Sequence, residues 1–211
     1  RLMTVLIPAI GSCTFATGGE RRFAERLEAK LEDDYLCWYD VALGDATRHP
    51  DFIVFHPKRG LLVLEVKDWR ARSIVSATKT SFELELVQGR VSLKSPFEQA
   101  REYAHAAVKV LQKDAQLVHA DGKNKGHVIF PWSYGVVFAN ITRKQFLEGQ
   151  LDSLIPAHRV LCQDEMFETV DAEIFQQHLW DMFPAEHAFK EALSLPQIDR
   201  IRWHLFPEIR I

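Results

Sequence analysis

An apolar run that takes on two charges at alternate residues constrains this chain more than any other feature. Residues 61–67 read Leu-Leu-Val-Leu-Glu-Val-Lys, and the unbroken apolar start predicts a strand covered on both faces. Side chains two apart on a strand share a face, so Glu65 and Lys67 emerge together. Burying such ions costs several kcal/mol each, on the order typical of charges in proteins, unless a partner or a metal compensates. Two readings meet that condition: a structural ion pair, or a site that uses both groups.

The preceding segment narrows the choice. Residues 51–56 predict a second strand, joined to the first across a turn that contains Pro57 and Gly60. A three-residue loop Lys58-Arg59-Gly60, with Gly in the left-handed position, places Ile53 opposite Glu65 and Asp51 opposite Lys67. Asp51 then becomes the diagonal neighbour of Glu65 on the same face, roughly 7–8 Å away at the backbone. A loop of two or four residues would put the two carboxylates on opposite faces. On one face they suit a divalent cation, since Mg²⁺ takes one or two protein carboxylates and completes its shell with water.

Around this hairpin the chain reads as one compact unit without repeats or linkers. Thr17-Gly18-Gly19-Glu20 has the spacing of a capping box, and Ala24, Leu27 and Leu31 continue it as a helix. Residues 36–41 predict a strand, with weaker strand signals at 72–77, 82–87 and 90–93. Ser95-Pro96-Phe97-Glu98 combines an N-cap Ser, Pro at the first helical position and a reciprocal Glu, so a long helix is expected towards residue 117. Residues 134–139 predict a central strand, 158–162 a short one, and 171–183 and 197–205 helices. The resulting order αβββαβ implies an α/β fold: a central mixed β-sheet flanked by helices, with additional C-terminal helices.

Composition sets outer limits. With 211 residues, 47% hydrophobic and 26% charged, the chain can bury one sizeable core. No apolar stretch approaches the roughly 18 residues of a membrane span, and residues 2–9 are too short for a signal peptide. A soluble, cytoplasmic protein without membrane association is expected. Cys13, Cys37 and Cys162 have no zinc-like spacing and are expected reduced and buried. A net charge of −3 means that any contact with nucleic acid must rest on a local basic surface. Residues 57–72 hold five basic side chains (Lys58, Arg59, Lys67, Arg70, Arg72) against two acidic ones, which fits such a surface and also fits an ordinary solvated face.

His49-Pro50-Asp51, thirteen intervening residues and then Glu65-Val66-Lys67 resemble the PD-(D/E)XK signature of restriction-endonuclease-like nucleases. Gly19-Glu20, Glu65-Val66-Lys67-Asp68-Trp69 and Ser95-Pro96-Phe97-Glu98-Gln99-Ala100 together resemble the nuclease-related domain, NERD, over about residues 15–140. The resemblance implies a restriction-endonuclease-like core at 17–140, an N-terminal extension at 1–16, an elaboration at 141–194, and a helical segment at 195–211. That last segment is similar to the one leading into the superfamily 1 helicase motor to which such domains are often fused. The missing initial Met and the ending at Ile211 agree with a fragment of a longer protein.

The implied activity is metal-dependent hydrolysis of nucleic acid, DNA foremost. Asp51 and Glu65, with the carbonyl of Val66, would hold Mg²⁺, for which Mn²⁺ can substitute, and Lys67 would orient the attacking water. Glu20 has two readings, a capping-box residue or a group linked to the metal. Gln99 and Tyr103 lie four apart on one helix face and resemble the QxxxY element of some nucleases in this superfamily, although a polar stripe beside the core reads equally well. Trp69, Arg70 and Arg72, with Lys58 and Arg59, are the candidate nucleic-acid contacts. A homo-oligomer is compatible with all of this, and a non-cleaving binding module on the same fold is the competing function. A Ser or Cys hydrolase is disfavoured because no GxSxG elbow or Cys–His arrangement is present. Without GxxxxGK[ST] these residues encode no ATPase.

Overall fold

The computed structural model describes residues 5–44, 48–184 and 191–207. Its centre is a six-stranded mixed sheet of β1 (Val5–Ile7), β2 (Leu36–Tyr39), β3 (Phe52–His56), β4 (Gly60–Lys67), β8 (Trp132–Phe138) and β9 (Val160–Cys162), in that spatial order. β2, β3 and β4 are antiparallel neighbours, whereas β4, β8 and β9 run parallel and β1 runs parallel to β2. The predicted mixed α/β sheet flanked by helices is thus present. Two strands lie outside the αβββαβ frame: β1 at one edge and β9 at the other.

Alternation along β3 and β4 sorts the core into two layers. Phe52, Val54, Leu62, Leu64 and Val66 point to α1 (Gly18–Lys30) and α4 (Ala172–Trp180), where Phe23, Leu27, Phe175 and Leu179 meet them. Ile53, Phe55, Leu61 and Val63 point the other way, to Ala104, Ala107 and Leu111 of α2 (Pro96–Leu111) and Ile201 and Leu205 of α5 (Leu195–Leu205). Burial of each such side chain contributes roughly 1.5–3 kcal/mol, so β3 and β4, packed on both faces, anchor the fold. A second sheet, β5 (Ile74–Ala77), β6 (Ser81–Leu86) and β7 (Gly89–Lys94), fills the chain between β4 and α2. Its Phe82 packs with Val136 and Phe138 of β8 and with Phe146 of the short helix α3 (Arg143–Glu148).

Several expectations need correction. The hairpin loop is Pro57-Lys58-Arg59, because Gly60 already pairs with His56. Gly60 carries the positive φ of 117° as expected, but it does so inside the ladder, where an added Cβ would lie 2.1 Å from the Pro131 carbonyl oxygen. The register therefore places Ile53 opposite Val63 rather than Glu65. Ser95 makes no side-chain capping bond, and Glu98 binds Arg101 instead of reaching back. α2 stops at Leu111 because Asp114 caps a separate turn, accepting from the Gln116 N–H at 2.9 Å. All three cysteines are free, but only Cys37 and Cys162 are buried, since Cys13 is half-exposed. Of the segment expected to lead to a motor, residues 195–205 form α5, and 208–211 lie outside the described residues. No helix among the described residues is long and apolar enough to cross a membrane.

Candidate active site

The β3–β4 ladder ends at the pair Phe52–Leu64, one residue short of Pro50, which has no N–H to continue it. Side chains take over from the backbone there. The Asp51 N–H donates to Glu65 Oε1 at 3.0 Å, and Asp51 Oδ2 accepts from the Val66 N–H at 2.8 Å. The corrected register makes Asp51 and Glu65 direct neighbours, closer than the diagonal arrangement expected from sequence. The parity argument survives because both loop assignments contain three residues.

Glu65 is 3% exposed, at the end of a buried strand. Burial pushes both carboxyl groups above the ordinary carboxylate range. For Asp51 the charge of Glu65 adds to that effect and the Val66 N–H opposes it; for Glu65 the bonds to Asp51 and the charge of Lys67 oppose it. Like-charged carboxyls this close cannot both ionise without compensation. Lys67 supplies part of it from the same face, yet makes no direct ion pair among the described residues. Its ammonium lies 5.5 Å from the centre of the Trp69 ring.

Glu20 reaches the pair from the opposite layer, and its capping-box reading holds. Its Oε2 accepts from the Thr17 N–H at 3.1 Å in a complete capping box and from the Tyr39 hydroxyl at 3.0 Å, while its charge acts on both Asp51 and Glu65. Gly19 makes this approach possible: a Cβ there would sit 2.9 Å from Ala139 Cβ and 3.0 Å from Asp68 Cβ. Arg22 fastens the same junction, donating to the Ala139 carbonyl and to Asn140 Oδ1, whose amide donates to the Asp68 carbonyl. Sequence reasoning missed Tyr39, Arg22 and Asn140. Only Asn140, a polar residue closing an apolar run, carried a usable signal.

From α2, Tyr103 lies close enough to Asp51 and Glu65 that their charges add to burial in raising its phenol. Gln99, one turn earlier on the same flank, has a buried Oε1 without a hydrogen-bond partner. The basic candidates do not converge. Lys58 and Arg59 sit in the hairpin turn, at the far end of β4 from Lys67, where Arg59 lies over the Trp180 ring at 5.6 Å. Trp69 packs on Phe82 and Phe138, with ring centroids 5.6 and 6.4 Å away. Arg70 and Arg72 are exposed on the segment leaving β4.

Among the described residues no three His, Cys, Asp or Glu side chains form a ready cation cage. The residues nevertheless fit a hard divalent ion. Two neighbouring carboxyls, Glu65 buried and Asp51 partly so, with surplus negative charge match a cation that uses one or two carboxylates and keeps its waters.

A family model described as the nuclease-related domain matches residues 16–140. The chain belongs to the nuclease-related domain family. No curated protein and no solved structure matches it. The stretch matched by the nuclease-related domain runs from α1 through β8 and contains Glu20, Asp51, Glu65, Lys67, Gln99 and Tyr103. It leaves out α3, β9, α4 and α5, although β9 completes the same sheet. The mixed sheet flanked by helices is consistent with a restriction-endonuclease-like nuclease domain, and membership supports a nuclease-related function.

Proposed function

We propose that this protein is a metal-dependent nuclease that hydrolyses phosphodiester bonds of DNA. The observation that carries the proposal is the mutual bonding of Asp51 and Glu65, with Lys67 on the same face and Glu20 behind them. A largely buried acidic pair of this kind, with Glu65 buried and Asp51 partly so, is costly to a plain core and useful to a site that takes up a cation.

Asp51 and Glu65, with the carbonyl of Val66, would hold Mg²⁺, and Mn²⁺ would substitute. Such an ion, when bound there, would polarise a phosphate oxygen and lower the pKa of a water molecule. Lys67 orients the attacking water and offsets negative charge that develops on the phosphate, the kind of contribution that is usually largest at an anionic centre. Tyr39 and Thr17 hold Glu20 behind the acidic pair. Tyr103 and Gln99 position the substrate or the Lys67 ammonium from α2. Phe82, Val136 and Phe138 form a dry wall on the side of β8. The reading extends to a domain that works beside a helicase motor in DNA processing, repair or defence.

The deciding assay incubates purified protein with Mg²⁺ or Mn²⁺ and single-stranded DNA, double-stranded DNA or RNA, alongside Asp51→Asn and Glu65→Gln. Cleavage of DNA that both variants abolish is the expected result. Binding without cleavage of any substrate overturns the proposal in favour of a non-cleaving module.

A further inference from the structure

On the flank of α2 turned away from Gln99 and Tyr103, a second group of side chains is built around Tyr134. Phe97, Arg101 and His105 recur four apart on α2 and therefore share that flank. Phe97 packs on the Tyr134 ring at 5.2 Å, and His105 packs on the Trp132 ring at 5.0 Å. Trp132 and Tyr134 alternate on β8 and register with Leu61 and Val63 of β4, so Tyr134 lies just ahead of the Glu65–Val136 pair along the sheet.

Arg159 closes the group. Its guanidinium lies over the Tyr134 ring, 4.7 Å from the centroid, and Nη1 donates to Ser133 Oγ at 2.7 Å and to the Tyr134 carbonyl at 3.0 Å. Ser133 is itself fixed by donating to the Met182 carbonyl at 2.8 Å. These contacts hold one edge of the guanidinium, and Nε and Nη2 have no hydrogen-bond partner among the described residues. No carboxylate among the described residues pairs with Arg159, and its half-burial pushes the guanidinium below its ordinary value. Arg101, near enough to Tyr134 to feel its charge, is 42% exposed and paired with Glu98.

A half-buried cation oriented by three contacts and lacking a counter-ion is arranged for an anion from outside, because partial desolvation strengthens its attraction for one. The planar fork suits phosphate oxygens, and the neighbouring rings offer apolar surface to a base or sugar. We propose that Arg159, with Arg101, binds a backbone phosphate of the nucleic acid on the β8 flank of α2, outside the acidic centre. The site lies partly beyond residue 140, where the family match ends. This inference rests on the nucleic-acid reading given above but needs no cleavage.

The test measures binding of a labelled single-stranded DNA oligonucleotide to the 211-residue chain by fluorescence anisotropy, in EDTA, across a salt titration. Arg159→Gln should weaken binding about fivefold, equally for all sequences, and reduce the salt slope by about one, as loss of a single phosphate contact does. Arg159→Lys should restore the slope, and the exposed Arg101→Gln should weaken binding in the same direction without threatening the fold. Unchanged affinity and slope in both Gln variants overturns the proposal, as does absence of binding by the parent chain. Inorganic phosphate is the second probe: if millimolar amounts abolish binding at constant ionic strength, the site takes free phosphate and the assignment to a polymer falls. A parent chain that binds with the expected Arg159 dependence yet never cleaves supports this site while the nuclease reading fails; cleavage with no Arg159 dependence does the reverse.

Discussion

Asp51 and Glu65 are tied by two bonds between backbone and carboxyl: the Asp51 N–H donates to the Glu65 carboxyl, and the Asp51 carboxyl accepts from the N–H of Val66, the residue after Glu65. The reciprocal bonds extend the β3–β4 hairpin by one step where Pro50 ends its regular ladder. They hold two acids together without neutralising them. The arrangement is therefore geometrically firm and electrostatically incomplete.

Neutral isosteres separate those two properties. Asn and Gln keep an oxygen to accept the Val66 and Asp51 N–H groups but lose the charge. Asp51→Asn and Glu65→Gln are expected to lower cleavage by about 100-fold or more, while the metal-free melting temperature stays level or rises. Loss of more than about 2 kcal/mol in either variant, a cost in the range of a broken buried network, would make the pair structural. Activity in single-turnover assays and thermal denaturation in EDTA read the two outcomes.

The raised carboxyl groups also fix the sign of a pH effect. Both titrate above their ordinary values of 3.8 and 4.5 in the fold, so the folded chain binds more protons than the unfolded one at neutral pH. Their contribution to stability is complete below the ordinary values and is lost as pH rises through the raised ones. Denaturant titrations in EDTA from about pH 5 to pH 8 should show the parent losing stability relative to Asp51→Asn/Glu65→Gln. Saturating Mn²⁺ should diminish that loss, because a bound cation replaces the protons. A parent that gains on the double variant as pH rises contradicts the assignment of the shifts.

Gln99 offers a way to tell function from packing. Its buried Oε1 has no partner, and an unpaired buried acceptor costs roughly 1–3 kcal/mol. Gln99→Leu should therefore leave stability unchanged or increase it, yet reduce kcat about tenfold if the amide receives Lys67 or the substrate during turnover. Full activity in a stabilised variant would assign Gln99 to the polar border of the core.

What was legible in the sequence follows from what alternation encodes. Parity along residues 51–67 placed Asp51 and Glu65 on one face, and that inference withstood a one-residue error in where the loop begins. Register did not, because whether Gly60 turns inside the ladder depends on its contact with Pro131, which is distant in sequence. Local caps were read correctly at Thr17, where the box closes, and incorrectly at Ser95, where Glu98 prefers Arg101. The basic residues do not gather into one patch for a geometric reason: charges close in sequence across an eight-residue strand stand at its two ends. Arg159 and Tyr39 had no sequence signal, since their roles arise from packing between distant segments.

Gly19 tests how closely α1 must approach. Ala there would place its Cβ against Ala139 and Asp68, and neither a strand end nor a side-chain base yields easily. Gly19→Ala is expected to cost about 1–3 kcal/mol, as overpacking does. It should also lower activity more than a remote variant of equal stability, because α1 carries Glu20. Equal activity at matched stability would show that the position of Glu20 is immaterial.

Asp114 governs a different part of the fold. Its Oδ2 accepts from Arg200 Nε at 2.5 Å and from His204 Nε2 at 2.8 Å, tying α5 to the end of α2. The bond from Arg200, then that from His204, holds this carboxyl well below the ordinary range, burial opposing them. A depressed carboxyl contributes stability above its unfolded value and loses it only as pH falls through the folded one, so α5 should stay docked in acid well below pH 3.8. Because Arg200 is 44% exposed, solvent screens the pair, and Asp114→Asn should cost only about 1 kcal/mol. Hydrogen exchange should localise that loss to residues 195–205, with cleavage unchanged. Uniform loss of protection across the sheet would show instead that α5 is integral to the core, through Ile201 and Leu205, and does not open separately.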